Sequence, residues 1–387
     1  MAVTAPARAP GLVLAVLVAW VFRAGVFVVA AVRPIANERG DPVSPLLPQS
    51  YLDFEFYAES LRLYAGSWAD IIGDFIRFYR DPATFDGGPI ISGPVFPALI
   101  GLFGYGPGSY LPLELFFLAV SCGMVAFWLW WLAGQGLGRG WLLAFALIPN
   151  PVWFTLVASP DLLFAAIFAG FFYFYFVATQ GRWQTATWIA LLVLLPLTRP
   201  NGYSSLVFVS LHVLWTAFQH RRIEVGRAAL AAFLLIVFAL FLYPYFLSEM
   251  RKAGSILSYF GHTPADYVAG IYPLLPRWLD LPMSWGSLVV AKLMYFTGLR
   301  PSYGVTAPAM VLARAAAGLV LLPGLVFLLV RAPLRDKALI VLFALPILIG
   351  PSQERYYLPI YPILFLYGAW FYRAAWTRLR TITAAPA

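Results

Sequence analysis

The stretch Gly11–Val32, GLVLAVLVAWVFRAGVFVVAAV, contains a single ionisable side chain, Arg23. A helix needs about 20 mainly apolar residues to cross the hydrocarbon core of a bilayer, and this run is long enough. It is longer than the apolar core of a secretory signal and has no obvious small-residue cleavage site. We therefore expect a retained transmembrane helix here.

The composition of the whole chain extends this prediction. Of its 387 residues, 61% are hydrophobic and only 11% are charged, whereas about a quarter of the residues in a soluble domain are charged. This excludes a separate soluble catalytic domain. Further apolar runs lie at 110–133, 141–158, 161–178, 185–198, 202–218, 229–247, 308–330, 338–350 and 357–372. We predict an all-α polytopic membrane protein, a single domain over residues 1–387 with about ten transmembrane helices.

The distribution of Lys and Arg predicts an orientation. If the N-terminus is cytoplasmic and the spans alternate, the segments on that side hold twelve basic and two acidic residues. The first loop on the other side, 33–109, holds nine acids and five arginines. Basic loops favour the cytoplasmic side, so we expect both termini there and a second large outer loop at 248–307. The same bias accounts for the net charge of +9, and we expect membrane lipid and no nucleic acid as partners.

The first outer loop carries a candidate site. Helical spacing of apolar residues over 52–64 and 68–79 predicts two amphipathic surface helices, and a third short one is expected at 95–103. Asp53 and Glu55 stand near the start of the first of these. A partly desolvated carboxylate at the membrane boundary is a plausible general base.

Further polar residues fall on the same outer side under this topology. Ionisable groups at membrane depth are costly and usually face a cavity or a partner. Arginine suits bidentate recognition of phosphate, while lysine offers a compact point charge. The candidates are Asp161, Arg199, Asn201, His262, Lys292, Arg300, Tyr303, Arg355 and Tyr356.

The layout resembles that of the GT-C glycosyltransferases, integral membrane enzymes that take a sugar from a polyprenyl-phosphate carrier. Asp53-Phe54-Glu55-Phe56-Tyr57-Ala58-Glu59 resembles the acidic start of the first loop in the aminoarabinose–lipid A transferases. Gly93–Leu99 is similar to the proline-containing surface helix of that family, and Ser159–Asp161 to a motif at the outer end of a later span. Leu197–Gly202 is similar to the Thr-Arg-Pro segments found in mannosyltransferases of the same superfamily, and Arg355–Pro359 also fits the pattern.

The resemblance implies a GT-C-like bundle and inverting transfer to an acceptor hydroxyl, with Asp53 as general base. It implies that some of Arg199, Lys292, Arg300 and Arg355 bind the donor phosphate. Asp161, Asn201, His262, Tyr303 and Tyr356 are expected to contact substrate. The family's adjacent acidic pair is here split by Phe54, so Asp53 alone or Asp53 with Glu55 serves as catalytic group. The soluble outer domain of larger family members has no counterpart in this sequence.

Several properties stay open at the level of sequence. Two carboxylates are compatible with a Mg²⁺ or Mn²⁺ site or with none, so no cofactor is required. The acceptor is a lipid, a glycan or a protein. Compactness, the single Cys122 and the lack of retention signals favour a prokaryotic inner (plasma) membrane. The alternatives are a transporter or flippase of lipid-linked intermediates, and a noncatalytic subunit of a membrane complex.

Overall fold

A computed structural model describes part of the chain. The described residues are 11–36, 42–46, 95–103, 110–153, 156, 158–179, 181–219, 226, 229–236, 239–240, 293, 297, 299, 308–349 and 354–383.

Almost all of these residues are helical, which confirms the predicted all-α class. The α-helices are α1 (Leu12–Val32), α2 (Val95–Phe103), α3 (Tyr110–Gly134), α4 (Arg139–Leu147), α5 (Pro149–Trp153), α6 (Pro160–Phe172), α7 (Arg182–Thr198), α8 (Tyr203–Gln219), α9 (Pro308–Arg331), α10 (Leu334–Ile349) and α11 (Tyr361–Thr383). A π-helical turn, Tyr173–Val177, continues α6, and 3₁₀ turns span Pro200–Gly202 and Glu354–Tyr357. Two-residue strands, β1 (Ile35–Ala36) and β2 (Pro42–Val43), pair antiparallel with Ile35 opposite Val43.

Three of the described helical segments are long and apolar enough to cross a membrane. They are Leu12–Val32, Leu111–Gly134 and Pro160–Val177, and Ala315–Arg331 is a shorter apolar helix. The first presents apolar side chains outward: Val21 is 71% exposed and Val32 is 82% exposed. An outward-facing apolar helix of this length indicates a membrane protein in contact with lipid.

The apolar run 141–158 is not one continuous helix. Ile148 is extended, at φ −61° and ψ 126°, and separates α4 from α5. It precedes Pro149, whose ring disfavours helical backbone in the residue before it. The expected third short helix of the first outer loop is present as α2. The predicted amphipathic helices at 52–64 and 68–79 lie outside the described residues.

In the core, the backbones of α9 and α11 approach each other closely. A side chain added at Gly324 of α9 would meet the carbonyl of Leu364 in α11, and one added at Gly368 of α11 would meet the carbonyl of Val320. Small residues that let helix backbones touch are typical of membrane bundles. The buried Arg23 of α1 also joins helices: its Nε donates to Ser121 Oγ of α3 at 3.2 Å.

The helix ends meet in two groups. At one end, which we call the site end, Phe27 of α1 packs with Leu156 and Leu358, and the α2 residue Phe96 packs with Leu113 and Leu162. The opposite end brings the start of α1 against Arg139, and the start of α10 against α11. Each end therefore collects segments that are far apart in sequence.

Candidate functional site

The start of α6 positions Asp161. Ser159 has extended backbone and caps the helix, since its side-chain oxygen accepts the backbone N–H of Leu162 at 3.3 Å. Pro160 occupies the first helical position, where its missing N–H costs nothing. Asp161 follows in the first turn, where a carboxylate also favours the helix dipole.

The end of α7 positions Arg199. The residue has extended backbone, at φ −152° and ψ 147°, because it precedes Pro200. A tight turn follows, in which the N–H of Gly202 donates to the carbonyl of Arg199 at 2.9 Å. Any side chain at Gly202 would meet the backbone of Leu195 and Pro196, so this close return of the chain requires glycine.

These two helix ends meet in a buried ion pair. Arg199 Nε lies 2.8 Å from Asp161 Oδ1, with side-chain exposures of 7% and 2%. The guanidinium carbon of Arg199 also lies 5.2 Å from the centre of the Tyr356 ring. Burying a charge is costly unless it is paired, and both contacts offset that cost. The structure thus joins three separate segments in what we call the Asp161–Arg199–Tyr356 cluster.

Glu114 of α3 supports the segment that leads to this cluster. Its side chain is 1% exposed, and Oε1 accepts the backbone N–H of Ala158 at 3.0 Å. Ala158 directly precedes the cap residue Ser159. The bond therefore connects α3 to the start of α6 and limits the positions available to Asp161.

The other predicted site residues fall into two groups. Asn201 lies in the 3₁₀ turn after Arg199 and is half-buried, while Arg355 lies in the 3₁₀ turn that carries Tyr356. The rest lie outside the described residues: Asp53, Glu55, His262, Lys292, Arg300 and Tyr303.

The described residues contain no group of three or more His, Cys, Asp or Glu side chains that could hold a metal ion. The two carboxylates at which the sequence leaves a Mg²⁺ or Mn²⁺ site open, Asp53 and Glu55, lie outside the described residues. What the described cluster offers is a fixed cation beside an aromatic ring. A guanidinium carries five N–H donors in a planar fork and no acceptor, which matches the oxygen atoms of a carboxylate or a phosphate.

Sequence reasoning missed two residues that shape this site. The sequence does not assign Glu114 to the site, because its partner is a backbone N–H that no pattern reveals. Ser159 was grouped with Asp161, although Ser followed by Pro at the first helical position is a recognisable helix start.

No protein-family model, no curated protein and no solved structure matches this chain.

Proposed function

We propose that this protein is a membrane glycosyltransferase of the GT-C type. It transfers a sugar from a polyprenyl-phosphate carrier to an acceptor hydroxyl, with inversion at the anomeric carbon. The observation that carries the proposal is the Asp161–Arg199–Tyr356 cluster. The cluster contains a buried arginine at the same end of the bundle as α2, whose sequence resembles the family's proline-containing surface helix.

The cluster suits recognition of a phosphate leaving group. Asp161 and Tyr356 both contact the Arg199 guanidinium and fix its orientation. The guanidinium stays at the ends of α6 and α7. A cation fixed before reaction, in a site with little water, stabilises negative charge that develops on the departing group. Arg355 and, from beyond the described residues, Lys292 and Arg300 would add positive charge around the same phosphate.

The reaction is a single displacement. The acceptor oxygen forms a bond to the anomeric carbon while the bond from that carbon to the phosphate oxygen breaks. The electron pair of the broken bond leaves with the polyprenyl phosphate. Asp53 takes the proton of the acceptor hydroxyl, with Glu55 as its partner or substitute. Asn201, His262 and Tyr303 would contact the sugar or acceptor.

The proposal includes a location. About ten helices would cross an inner (plasma) membrane with both termini in the cytoplasm, which puts the site end on the outer face. The twelve basic residues assigned to the cytoplasmic segments support this orientation.

The transporter alternative receives less support from the geometry. It would use charged residues deep in the membrane, and the described residues include Arg23, Glu114 and Arg314 as candidates. Arg23 instead bonds to Ser121 and to the carbonyls of Ala19 and Ala146, at 3.2 and 3.4 Å. These contacts join α1 to α3 and α4, a structural role.

Lipid analysis of a strain that lacks the protein tests the proposal. We expect a polyprenyl-phosphate sugar to accumulate, and mass spectrometry would identify it as the donor. Membranes containing the protein should then transfer this sugar, and membranes with Asp53→Asn should not. Asp86→Asn, a carboxylate in the same loop, is the matched control and should retain transfer.

The Asp53→Asn protein must accumulate in membranes at the normal level, so that the loss of sugar transfer is not a loss of protein. No accumulating polyprenyl-phosphate sugar would contradict the proposed donor. Full sugar transfer by the Asp53→Asn/Glu55→Gln double variant would show that neither carboxylate is the general base.

A further inference from the structure

A recess lies at the opposite end of the bundle, between α8 and α10. Its volume is about 540 Å³, within the range of ligand-binding pockets. From α8 it is lined by Leu211, Trp215 and Phe218, which are 46%, 44% and 76% exposed. Exposed apolar side chains around a recess of this size indicate that an apolar partner binds there.

The histidine in its wall already has a hydrogen-bond partner. His212 lines the recess, and its Nδ1 lies 2.7 Å from the hydroxyl of Tyr175. The ring of Phe208 stacks on the His212 ring at 5.7 Å. The wall therefore presents hydrocarbon and aromatic surface to its occupant.

The length of the recess fits one leaflet of a bilayer. The α8 residues that line it run from Phe208 to Phe218, a rise of about 15 Å at 1.5 Å per residue. Half of a typical hydrocarbon core is also about 15 Å. An acyl chain that enters from the end of α8 would follow this wall to the middle of the membrane.

The mouth of the recess is basic. Arg335 lines it. The end of α9 and the first turn of α10 together carry Arg331, Arg335 and Lys337 and the single acid Asp336. Arg335 is held in place by Asp336, at 3.0 Å from both Nε and Nη2, and lies 5.0 Å from the centre of the Phe176 ring. Asp336 in turn accepts the hydroxyl of Tyr367 at 2.9 Å.

We infer that this recess binds one anionic phospholipid from the leaflet at the opposite end of the bundle, with an acyl chain along α8 and its phosphate at the Arg331–Lys337 turn. Basic pockets between transmembrane helices are suited to anionic head groups. The inference requires only that the helices span a membrane, and it does not depend on the proposed sugar transfer.

Native mass spectrometry of the full-length protein tests it. The protein would be purified into micelles that contain equimolar palmitoyl-oleoyl phosphatidylglycerol and phosphatidylcholine. We expect one phosphatidylglycerol molecule to remain bound in preference to phosphatidylcholine. Wild-type protein that retains neither lipid, or both equally, would overturn the inference, as would a retained polyprenyl lipid. This measurement needs no variant.

Variants of the recess and of its mouth test the binding of the acyl chain and of the head group separately. Leu211→Trp fills the recess and should lower lipid occupancy at least severalfold, while Leu319→Trp, at an exposed leucine of α9 away from the recess, should not. Lys337→Gln should reduce the preference for phosphatidylglycerol by about fivefold, the effect of one basic residue near an anionic lipid surface. Equal occupancy in both tryptophan variants, or an unchanged preference in Lys337→Gln, would contradict the site.

Discussion

The two ends of the bundle use the same parts in different ways. Each has an aspartate, an arginine and an aromatic ring under the guanidinium: Asp161, Arg199 and Tyr356 at the site end, and Asp336, Arg335 and Phe176 at the other. At the opposite end the charged partners are neighbours in sequence, and the arginine is 27% exposed. At the site end they are separated by 38 positions and are almost fully buried.

The two ion pairs therefore differ in how much their loss destabilises the protein and in what they contribute to it. A pair between sequence neighbours is present whenever its turn forms, so it reveals little about tertiary structure. A buried pair between two helix ends forms only when both helices are in place, and it is destabilising if either partner is lost. We therefore expect the site-end pair to matter for both stability and reaction, and the other pair to matter mainly for its local turn.

The largest expected difference concerns loss of the carboxylate. Asp161→Ala leaves the Arg199 charge buried without this partner and should lower the free energy of unfolding by about 3–5 kcal/mol. Asp336→Ala leaves a partly exposed arginine and one tyrosine hydroxyl, so we expect about 1–3 kcal/mol. Reversible unfolding in detergent micelles measures both. Equal losses would erase the contrast between the two ends.

The arginine itself should affect sugar transfer. Arg199→Gln removes a fixed cation from the proposed phosphate site, and kcat should fall by about 10²–10³-fold. Arg182→Gln is the matched control, because Arg182 begins the same helix at its other end and is exposed. Transfer assays on both variants at equal protein levels would decide the point. A similar kcat for the two would place Arg199 outside the reaction.

Glu114 should contribute through one hydrogen bond. Glu114→Ala removes the acceptor of the buried Ala158 N–H, which should cost about 1–3 kcal/mol of unfolding free energy. Glu114→Gln keeps a side-chain oxygen at the same place and should cost less. Comparing thermal unfolding of the two variants isolates this bond. If Gln is as damaging as Ala, the contact with Ala158 is not what matters.

The smallest expected effects concern the ring beneath Arg199. Tyr356→Phe keeps the aromatic face, so we expect it to lower stability less than Tyr356→Leu does. Tyr356→Leu removes that face and should cost about 1–2 kcal/mol, since the cation is desolvated. The same unfolding assay applies. A large effect of the Phe variant would instead assign the role to the hydroxyl.

Much of the fold could be predicted because apolar runs report directly on membrane helices. The runs at 11–32, 110–133 and 161–178 became the three candidate spans. The run at 141–158 predicts one continuous helix, whereas the structure breaks it at Ile148, because Pro149 disfavours helical backbone in the residue before it. The spans not described, and the total of about ten, remain predictions.

The site was predictable in its members but not in its pairing. The sequence identifies Asp161, Arg199 and Tyr356 as site candidates because each is a polar residue at the end of an apolar run, on the predicted outer side of the membrane. The sequence assigned Asp161 to substrate and Arg199 to phosphate, whereas the structure joins them directly. Which helix ends meet depends on the packing of α6 against α7, and no local pattern encodes that contact.

The central claim is that Asp53 lies beside the Asp161–Arg199–Tyr356 cluster in one pocket. Cysteines at positions 53 and 356, in a Cys122→Ser background that removes the single native cysteine, test this most directly with a short bis-maleimide. We predict an intramolecular cross-link, detected by peptide mass spectrometry, and none when position 53 is paired with position 334 at the opposite end. If each cysteine reacts with maleimide alone but the 53–356 pair never cross-links, the two parts of the proposed site do not meet.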